Sequence, residues 1–185
     1  INELFYFKRE NDQKAIKRFE EIKKKLMKKN SDHYSLFRIY VTYKKLKKES
    51  DEKVNVWAKE NNIKKDILYK IDSYYKKSKH MILSKIKEYY EKKQIKSIDT
   101  KDYKLRKRIL AGLYKGYFMN IASPSSGGYK TNKIKNVKIS KDSCMVGPEK
   151  KKIMYSEVFT SGQSYLQINS HITKEIINLQ NQVNL

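Results

Sequence analysis

Apolar residues recur at helical spacing through the first half of the chain. One such face is formed by Ala15, Ile16, Phe19, Ile22 and Leu26. Other sets with this spacing lie within 36–43, 67–75 and 81–90, and lysine and glutamate occupy many of the intervening positions. Together with the segment around Trp57, the pattern predicts about four amphipathic helices before residue 105. The charged run 44–53 has no apolar stripe and predicts a solvated helix end or loop.

Short polar residues mark the starts of two of these helices. Asp12 is placed to cap the first helix, and Ser31 or Asp32 to cap the second, because their side-chain oxygens accept from free N–H groups of the first turn. His33 is predicted to pack beside this cap, and contact with RNA is the alternative. An acid/base pair of Asp32 and His33 is disfavoured, because adjacent helical residues point about 100° apart and no nucleophile is tied to them.

Trp57 is the only tryptophan of the chain, and it begins an apolar face. A large aromatic ring contributes most to stability when it is buried, so we expect Trp57 to anchor the helical core. Glu60 and Asn61 would then orient the turn that follows. Cys144 and Met145 lie in a β-like run and are predicted to be packing residues.

The pattern changes near Leu105. A basic, helix-like run ends at Gly116, and short β-rich runs separated by polar turns follow it. Several short strands at about 8–12 residue spacing are typical of a small barrel or sandwich. We therefore predict an α+β protein, with helices before Leu105 and a β-rich unit after it.

The charge of the chain indicates a class of function. The chain has 43 Lys and Arg against 20 Asp and Glu, a formal net charge of +23 and a pI near 9.8, which is typical of a nucleic-acid-binding protein. Its 15 Tyr and 6 Phe could stack on bases, although most should be core residues. The alternative is that part of the lysine excess reflects AT-rich coding sequence and solvated helix faces.

Other residue types exclude several classes of protein. A single cysteine excludes an intrachain disulfide framework and a multi-thiolate zinc site, which favours an intracellular location. His80 and His171 are too isolated in sequence to indicate a metal site. The sequence has no transmembrane-length apolar run and no signal peptide, so we expect no membrane partner, and the start without Met indicates a fragment of a longer protein. It also has no P-loop and no D-E-x-H box, so this chain alone is not expected to hydrolyse ATP.

The order of short motifs along the chain is its most specific feature. Phe5-Tyr6 is followed by Ser-Asp-His-Tyr-Ser-Leu, Trp-Ala-Lys-Glu-Asn, Gly-Tyr-Phe-Met-Asn-Ile-Ala, Gly-Tyr-Lys-Thr, a serine and Tyr-Ser-Glu-Val. This series resembles the C-terminal region of DEAH-box RNA helicases. The positions that match the motifs include Asp32, His33, Trp57, Glu60, Asn61, Gly116, Asn120, Tyr129, Ser143, Tyr155 and Glu157.

The resemblance implies a ratchet-like helical domain over 1–104 and a five-stranded OB-fold barrel over 105–185. It further implies an upstream core of RecA-like domains that binds ATP and Mg²⁺ and an upstream winged-helix domain, with no cofactor in this chain. The expected partners are single-stranded RNA and possible G-patch proteins, and the expected setting is pre-mRNA splicing in the nucleus. The alternatives are a stand-alone basic OB-type RNA-binding module in ribosome assembly or translation, or a protein-interaction platform.

An OB-fold of this kind would hold RNA with cations along the phosphates and planar groups under the bases. The candidate RNA-binding residues are Arg106, Lys107, Arg108, Lys130, Thr131, Lys133, Lys135, Lys150, Lys151 and Lys152. Each lysine could equally be a solubilising surface charge. Tyr117, Phe118 and Tyr129 could stack on bases, but burial in the barrel interior is favoured for all three.

Overall fold

Four helices precede residue 105 in the computed structural model, which describes residues 4–6, 13–28, 30–92, 104–145 and 151–182. They are α1 (Gln13–Leu26), α2 (Asp32–Glu49), α3 (Asp51–Glu60) and α4 (Lys65–Lys92). Ser31 is the N-cap of α2, and its hydroxyl accepts from the Tyr34 N–H at 3.0 Å, which confirms one of the two predicted caps. Asp12 lies outside the described residues. The predicted number of helices is confirmed in this part of the chain.

The helix boundaries differ from the sequence pattern at two places. The charged run 44–53 is helical on both sides of Ser50, which ends α2 and caps α3 with a hydrogen bond from the Lys53 N–H at 3.2 Å. The apolar sets 67–75 and 81–90 belong to the single helix α4. Because no Gly or Pro separates those sets, the helix continues without interruption.

The helical core lies between the start of the chain and α2, α3 and α4. Its most buried members are Phe5, Tyr43, Val54, Ile63 and Leu68. An extended segment at Leu4–Tyr6 joins this core through backbone hydrogen bonds with residues 62 and 64. Trp57 only packs against the core from a half-buried position, so the expectation that it anchors the core is wrong. Tyr43 is fully buried and occupies the centre instead.

The second half of the chain forms a nearly closed, five-stranded barrel-like sheet with a helix on either side of it in sequence. Its elements are α5 (Leu105–Gly116), β1 (Ile121–Ser125), β2 (Gly128–Lys130), β3 (Lys138–Ile139), β4 (Ile153–Ser161), β5 (Gln163–His171) and α6 (Lys174–Gln182). The strand order is β2-β1-β4-β5-β3, with β3 parallel to β5 and the other pairs antiparallel. An isolated bridge between Tyr129 and Val137 joins the two outer strands. The α+β prediction is therefore confirmed.

The barrel interior is filled by one apolar cluster. Its buried members are Ala122, Tyr129, Val137, Met145, Ile153, Tyr155 and Leu166. Tyr117 lies instead in a second cluster, where α5 packs on α6. Phe118 is 68% exposed in the turn after α5. The predicted interior position is thus confirmed for Tyr129 and wrong for Tyr117 and Phe118, because the chain leaves α5 before it enters the barrel.

Helix α6 is an element that the sequence pattern did not predict. Ile176 is buried against α5, and the Thr173 hydroxyl accepts from the Ile176 N–H at 3.3 Å in the first turn. The helix spans only nine residues, which gives little periodic signal. Its packing on α5 closes one side of the barrel domain.

Candidate nucleic-acid interface

The N-terminus of α2 is hydrogen-bonded to the barrel through a buried carboxylate. Asp32 has no exposed surface and accepts from the Ser143 hydroxyl at 2.6 Å, the Cys144 N–H at 2.8 Å and the Asn169 N–H at 2.8 Å. Ser31, and not Asp32, is the cap of the helix. Because all three donors of Asp32 belong to the barrel domain, this carboxylate fixes the helices against the sheet.

His33 continues this junction with both of its ring nitrogens. Nδ1 lies 2.8 Å from the Ser170 hydroxyl and Nε2 lies 3.0 Å from the Ser156 hydroxyl. The Ser31 and Ser170 hydroxyls are also 2.8 Å apart. Burial lowers the pKa of His33, and the neighbouring Asp32 carboxylate opposes this only in part. A neutral imidazole can donate to one serine and accept from the other, so it satisfies both.

This group of serine, histidine and aspartate residues does not have the geometry of a hydrolase triad. In a triad the carboxylate accepts from the histidine ring, whereas both oxygens of Asp32 accept from Ser143, Cys144 and Asn169. The nearby thiol is also unsuited to attack, because burial and the Asp32 charge raise the pKa of Cys144 to about 12. The junction is therefore a structural connection.

The junction coincides with an irregularity in the β4–β5 ladder. Tyr155 pairs with Asn169 and Glu157 pairs with Gln167, but Ser156 and Ile168 between them do not pair. Ile168 has φ +51°, a left-handed conformation that costs an L-residue roughly 1–2 kcal/mol. At this point the Asn169 N–H and the Ser156 hydroxyl bind α2 instead of a neighbouring strand.

A row of side chains crosses the outer face of the barrel on three adjacent strands. Lys138 of β3 is in register with Tyr165 of β5, which is in register with Phe159 of β4. Their sequence neighbours Leu166 and Val158 point into the barrel, so side-chain alternation places the row outside. Phe159 is 54% exposed, Tyr165 is half-buried and Lys138 is exposed. The row presents a cation beside two aromatic rings.

Gly128, a residue without a side chain, lies at one end of this row, and a hydrogen bond connects the loops beside it. A Cβ at Gly128 would lie 3.8 Å from Cγ of Lys138 and 2.8 Å from the Val137 carbonyl oxygen. Asn136 lies against Gly127 of the β1–β2 loop, and its carbonyl accepts from Nε2 of Gln163, which begins β5 directly after the β4–β5 turn, at 2.8 Å. The β1–β2 and β4–β5 loops therefore meet at one edge of the row.

The predicted RNA-binding residues fall into three separate places. Lys130, Lys133 and Lys135 are exposed in and after β2, next to the outer row, and the Thr131 hydroxyl accepts from the Ile134 N–H at 2.9 Å to shape their turn. Lys151 and Lys152 are exposed just before the start of β4. The strand is about 26 Å long, and the outer row crosses it near its far end. Lys150 lies outside the described residues.

Two of the three predicted cations of α5 contact other helices and not the outer row. The Arg106 guanidinium lies 5.9 Å from the centre of the Tyr34 ring, and Lys107 forms an ion pair with Glu175 of α6 at 2.7 Å. Arg108 is exposed on the same helix. The structure thus brings together only the β2–β3 lysines of the predicted set.

The remaining motif residues have separate structural roles. Gly116 ends α5, the Asn120 amide donates to the Ser156 carbonyl at 3.0 Å, and the Asn61 amide caps α3 through the Trp57 carbonyl at 2.7 Å. Glu60 is exposed on α3, and Glu157 is exposed on the outer face of β4. Tyr155 is buried in the barrel.

Lys138, Tyr165 and Phe159 were missed by sequence reasoning. The signal that could have found them is the hairpin around Gly162, whose φ of +68° marks the reversal of the chain. Counting outward from that glycine pairs Phe159 with Tyr165. The neighbour of Tyr165 on β3 could not be counted, because a parallel pair has no turn to set its register.

Comparison with known proteins adds no identification. The chain matches no protein-family model, and a search of curated proteins finds no similar sequence. Within the described part of the chain, His, Cys, Asp and Glu side chains form no group of three or more that could hold a metal ion. Among the described helices, none combines the length and the apolar character that crossing a bilayer requires.

Proposed function

We propose that the barrel-like sheet is an OB-fold whose outer face binds single-stranded RNA. The strand connections support this proposal: β1 pairs with β2 and β4, β4 pairs with β5, and β5 runs parallel to β3. The Tyr129–Val137 bridge completes the circuit between β2 and β3. An OB-fold is a five-stranded Greek-key barrel that binds oligonucleotides with the face of its strands β2 and β3 and with its β1–β2 and β4–β5 loops.

The row of Lys138, Tyr165 and Phe159 is the observation that carries the proposal. Single-stranded nucleic acid is held by base stacking on aromatic rings beside a cationic path for the phosphates. Between residues 121 and 171 the sequence has eight lysines and three acidic residues, so the field at this face favours a polyanion. Contacts to phosphates and base faces carry little sequence information, so binding should show little sequence preference.

We further propose that the chain is the C-terminal region of a DEAH-box RNA helicase. The motif series supports this, as do the helical domain and barrel in that order along the chain. In the parent protein, an upstream RecA-like core would bind ATP and Mg²⁺ and a winged-helix domain would accompany it. The barrel would border the RNA channel and dock G-patch proteins. Pre-mRNA splicing in the nucleus is the proposed setting. Coding sequence upstream of Ile1 without a P-loop and a DEAH box would favour the stand-alone RNA-binding module.

RNA binding can be tested by fluorescence anisotropy with labelled oligo-U. Phe159→Ser should weaken binding roughly 5- to 150-fold, because base stacking on an aromatic ring is worth about 1–3 kcal/mol. Phe118→Ser is the matched control, since Phe118 is an exposed phenylalanine that lies off the row. It should leave the affinity unchanged.

The salt dependence provides a second, independent readout. The affinity of the unmodified chain should fall steeply between about 50 mM and about 200 mM salt. Lys138→Gln should make the slope of log affinity against log salt concentration shallower by about 0.7, as expected for the loss of one single-strand phosphate contact. A salt-insensitive interaction would contradict the proposal and favour a protein-interaction platform. Equal losses for Phe159→Ser and Phe118→Ser would also contradict it.

A further inference from the structure

Helix α4 extends beyond the helical core with apolar side chains in solvent. Its first turns are packed: Leu68 is buried, and the Asp72 carboxylate accepts from the Tyr40 hydroxyl and from Lys44. Burial raises the pKa of Asp72, but these hydrogen bonds and a third from Lys76 outweigh it and lower the value to about 2. From residue 73 to residue 85 every side chain is exposed.

The exposed apolar residues form one continuous stripe along the helix. Tyr74 is 70% exposed, Met81 54% and Ile82 50%. They recur with Ile71 and Tyr75 at spacings of three, four and seven residues, which places them on one helix face. We call these five residues the distal α4 stripe. It continues the face that packs through Leu68 and extends for about 17 Å.

Apart from Asp72, which is buried and paired with Lys44 and Lys76, the charges beside the stripe are all of one sign. Residues 73–85 include four lysines and no acidic residue. Lys79 lies four residues after Tyr75, on one side of the stripe, and Lys85 lies four residues after Met81, on the stripe face just beyond its distal end. A second copy of this helix would bring like charges together, and a nucleic acid would gain nothing from Met81 and Ile82.

We propose that the distal α4 stripe is the docking surface for an acidic amphipathic helix of a partner protein. Such a helix would bury its apolar residues on the stripe and place its glutamates against Lys79 and Lys85. The exposed apolar residues of the stripe give the contact its affinity, and the two lysines select the sign of the partner's charge. This surface is distinct from the barrel face, so the proposal does not depend on RNA binding.

A synthetic peptide tests this docking surface directly. The probe has Leu at heptad positions a and d and Glu at e and g, so self-repulsion keeps it monomeric until it meets a basic partner. Its binding to the whole chain is measured by isothermal titration calorimetry. Ile82→Ser should weaken binding about 10-fold or more, because it removes one of the large apolar side chains of the stripe. His80→Ser, an exposed change on the opposite face, should have no effect.

Charge reversal gives the second arm of the experiment. The double variant Lys79→Glu, Lys85→Glu should bind the acidic peptide more weakly. It should instead bind a matched peptide that has Lys at positions e and g. The proposal is overturned if a scrambled acidic peptide binds equally well, or if His80→Ser is as harmful as Ile82→Ser. Self-association by sedimentation that Ile82→Ser abolishes would assign the stripe to a second copy instead. Loss of oligo-U binding by Ile82→Ser would assign it to RNA.

Discussion

At the scale of single residues, three consecutive side chains connect the two halves of the chain. Ser31 caps α2, Asp32 accepts three hydrogen bonds from the barrel domain, and His33 lies between two barrel serines. Only the first of these roles could be predicted, because capping is decided by residues within four positions. The partners of Asp32 lie more than a hundred residues further along the chain.

Protonation of His33 should weaken the folded state. Burial lowers its pKa below the ordinary value of 6.5, so the unfolded chain binds the proton more readily than the folded one. The stabilisation is present above 6.5 and is lost as the pH falls from there towards the folded pKa. Urea unfolding at several pH values between about 7.5 and about 5.5 should therefore show falling stability in the unmodified chain.

The matched variants isolate this effect. In His33→Gln the free energy of unfolding should be lower overall, and it should no longer show the part of its pH dependence that His33 supplies. His80→Gln, on the exposed part of α4, should keep the pH profile of the unmodified chain. Parallel pH profiles for His33→Gln and the unmodified chain would show that the junction histidine does not titrate in this way.

At the scale of elements, the closure of the barrel depends on the short strand β2. Gly128 has φ +136°, and a Cβ there would lie only 2.8 Å from the Val137 carbonyl oxygen. Both observations concern the place where β2 meets the start of β3. Position 128 therefore requires glycine, both because of its backbone conformation and because the Val137 backbone lies so close.

Gly128→Ala and Gly112→Ala should have opposite effects on stability. The first introduces a clash with backbone and a strained φ, so the free energy of unfolding should fall by roughly 2–5 kcal/mol. Gly112 lies inside α5, and an added Cβ would meet nothing within 4 Å, so alanine should raise the free energy of unfolding by about 1 kcal/mol. Chemical denaturation measures both. Equal effects would mean that β2 does not approach β3 as described.

At the scale of the whole molecule, the buried junction should make the helices and the barrel unfold together. Asp32 has no exposed surface, so its separation from Ser143, Cys144 and Asn169 would leave buried polar groups without partners. That cost couples the two halves. The net charge of +23 acts in the opposite direction, because self-repulsion favours the unfolded chain at low salt.

Asp32→Asn should separate the two unfolding transitions. The amide NH₂ would face N–H donors, which should lower the overall stability by about 3 kcal/mol. Trp57 fluorescence reports on the helices, and Trp57→Phe with Phe159→Trp moves the reporter to the barrel. The urea midpoints from the two reporters should coincide, and they should separate once Asp32→Asn is added. Asp66→Asn, at an exposed site, is the control.

Separate transitions before Asp32→Asn is introduced would contradict this prediction. They would mean that the polar junction contributes little to the coupling between the two halves. In that case the barrel and the helices should be treated as independent units in the RNA-binding and peptide-binding experiments.

The sequence by itself determined the helices before residue 105, the change to β structure after Gly116, the Ser31 cap and the excess of lysine. These properties depend on composition or on residues a few positions apart, so periodicity and side-chain chemistry were sufficient. Only the tertiary structure decided that Lys138, Tyr165 and Phe159 form one row, that Trp57 stays half-buried and that Asp32 binds the barrel. Those outcomes depend on strand register and on contacts between distant segments, which local pattern does not encode.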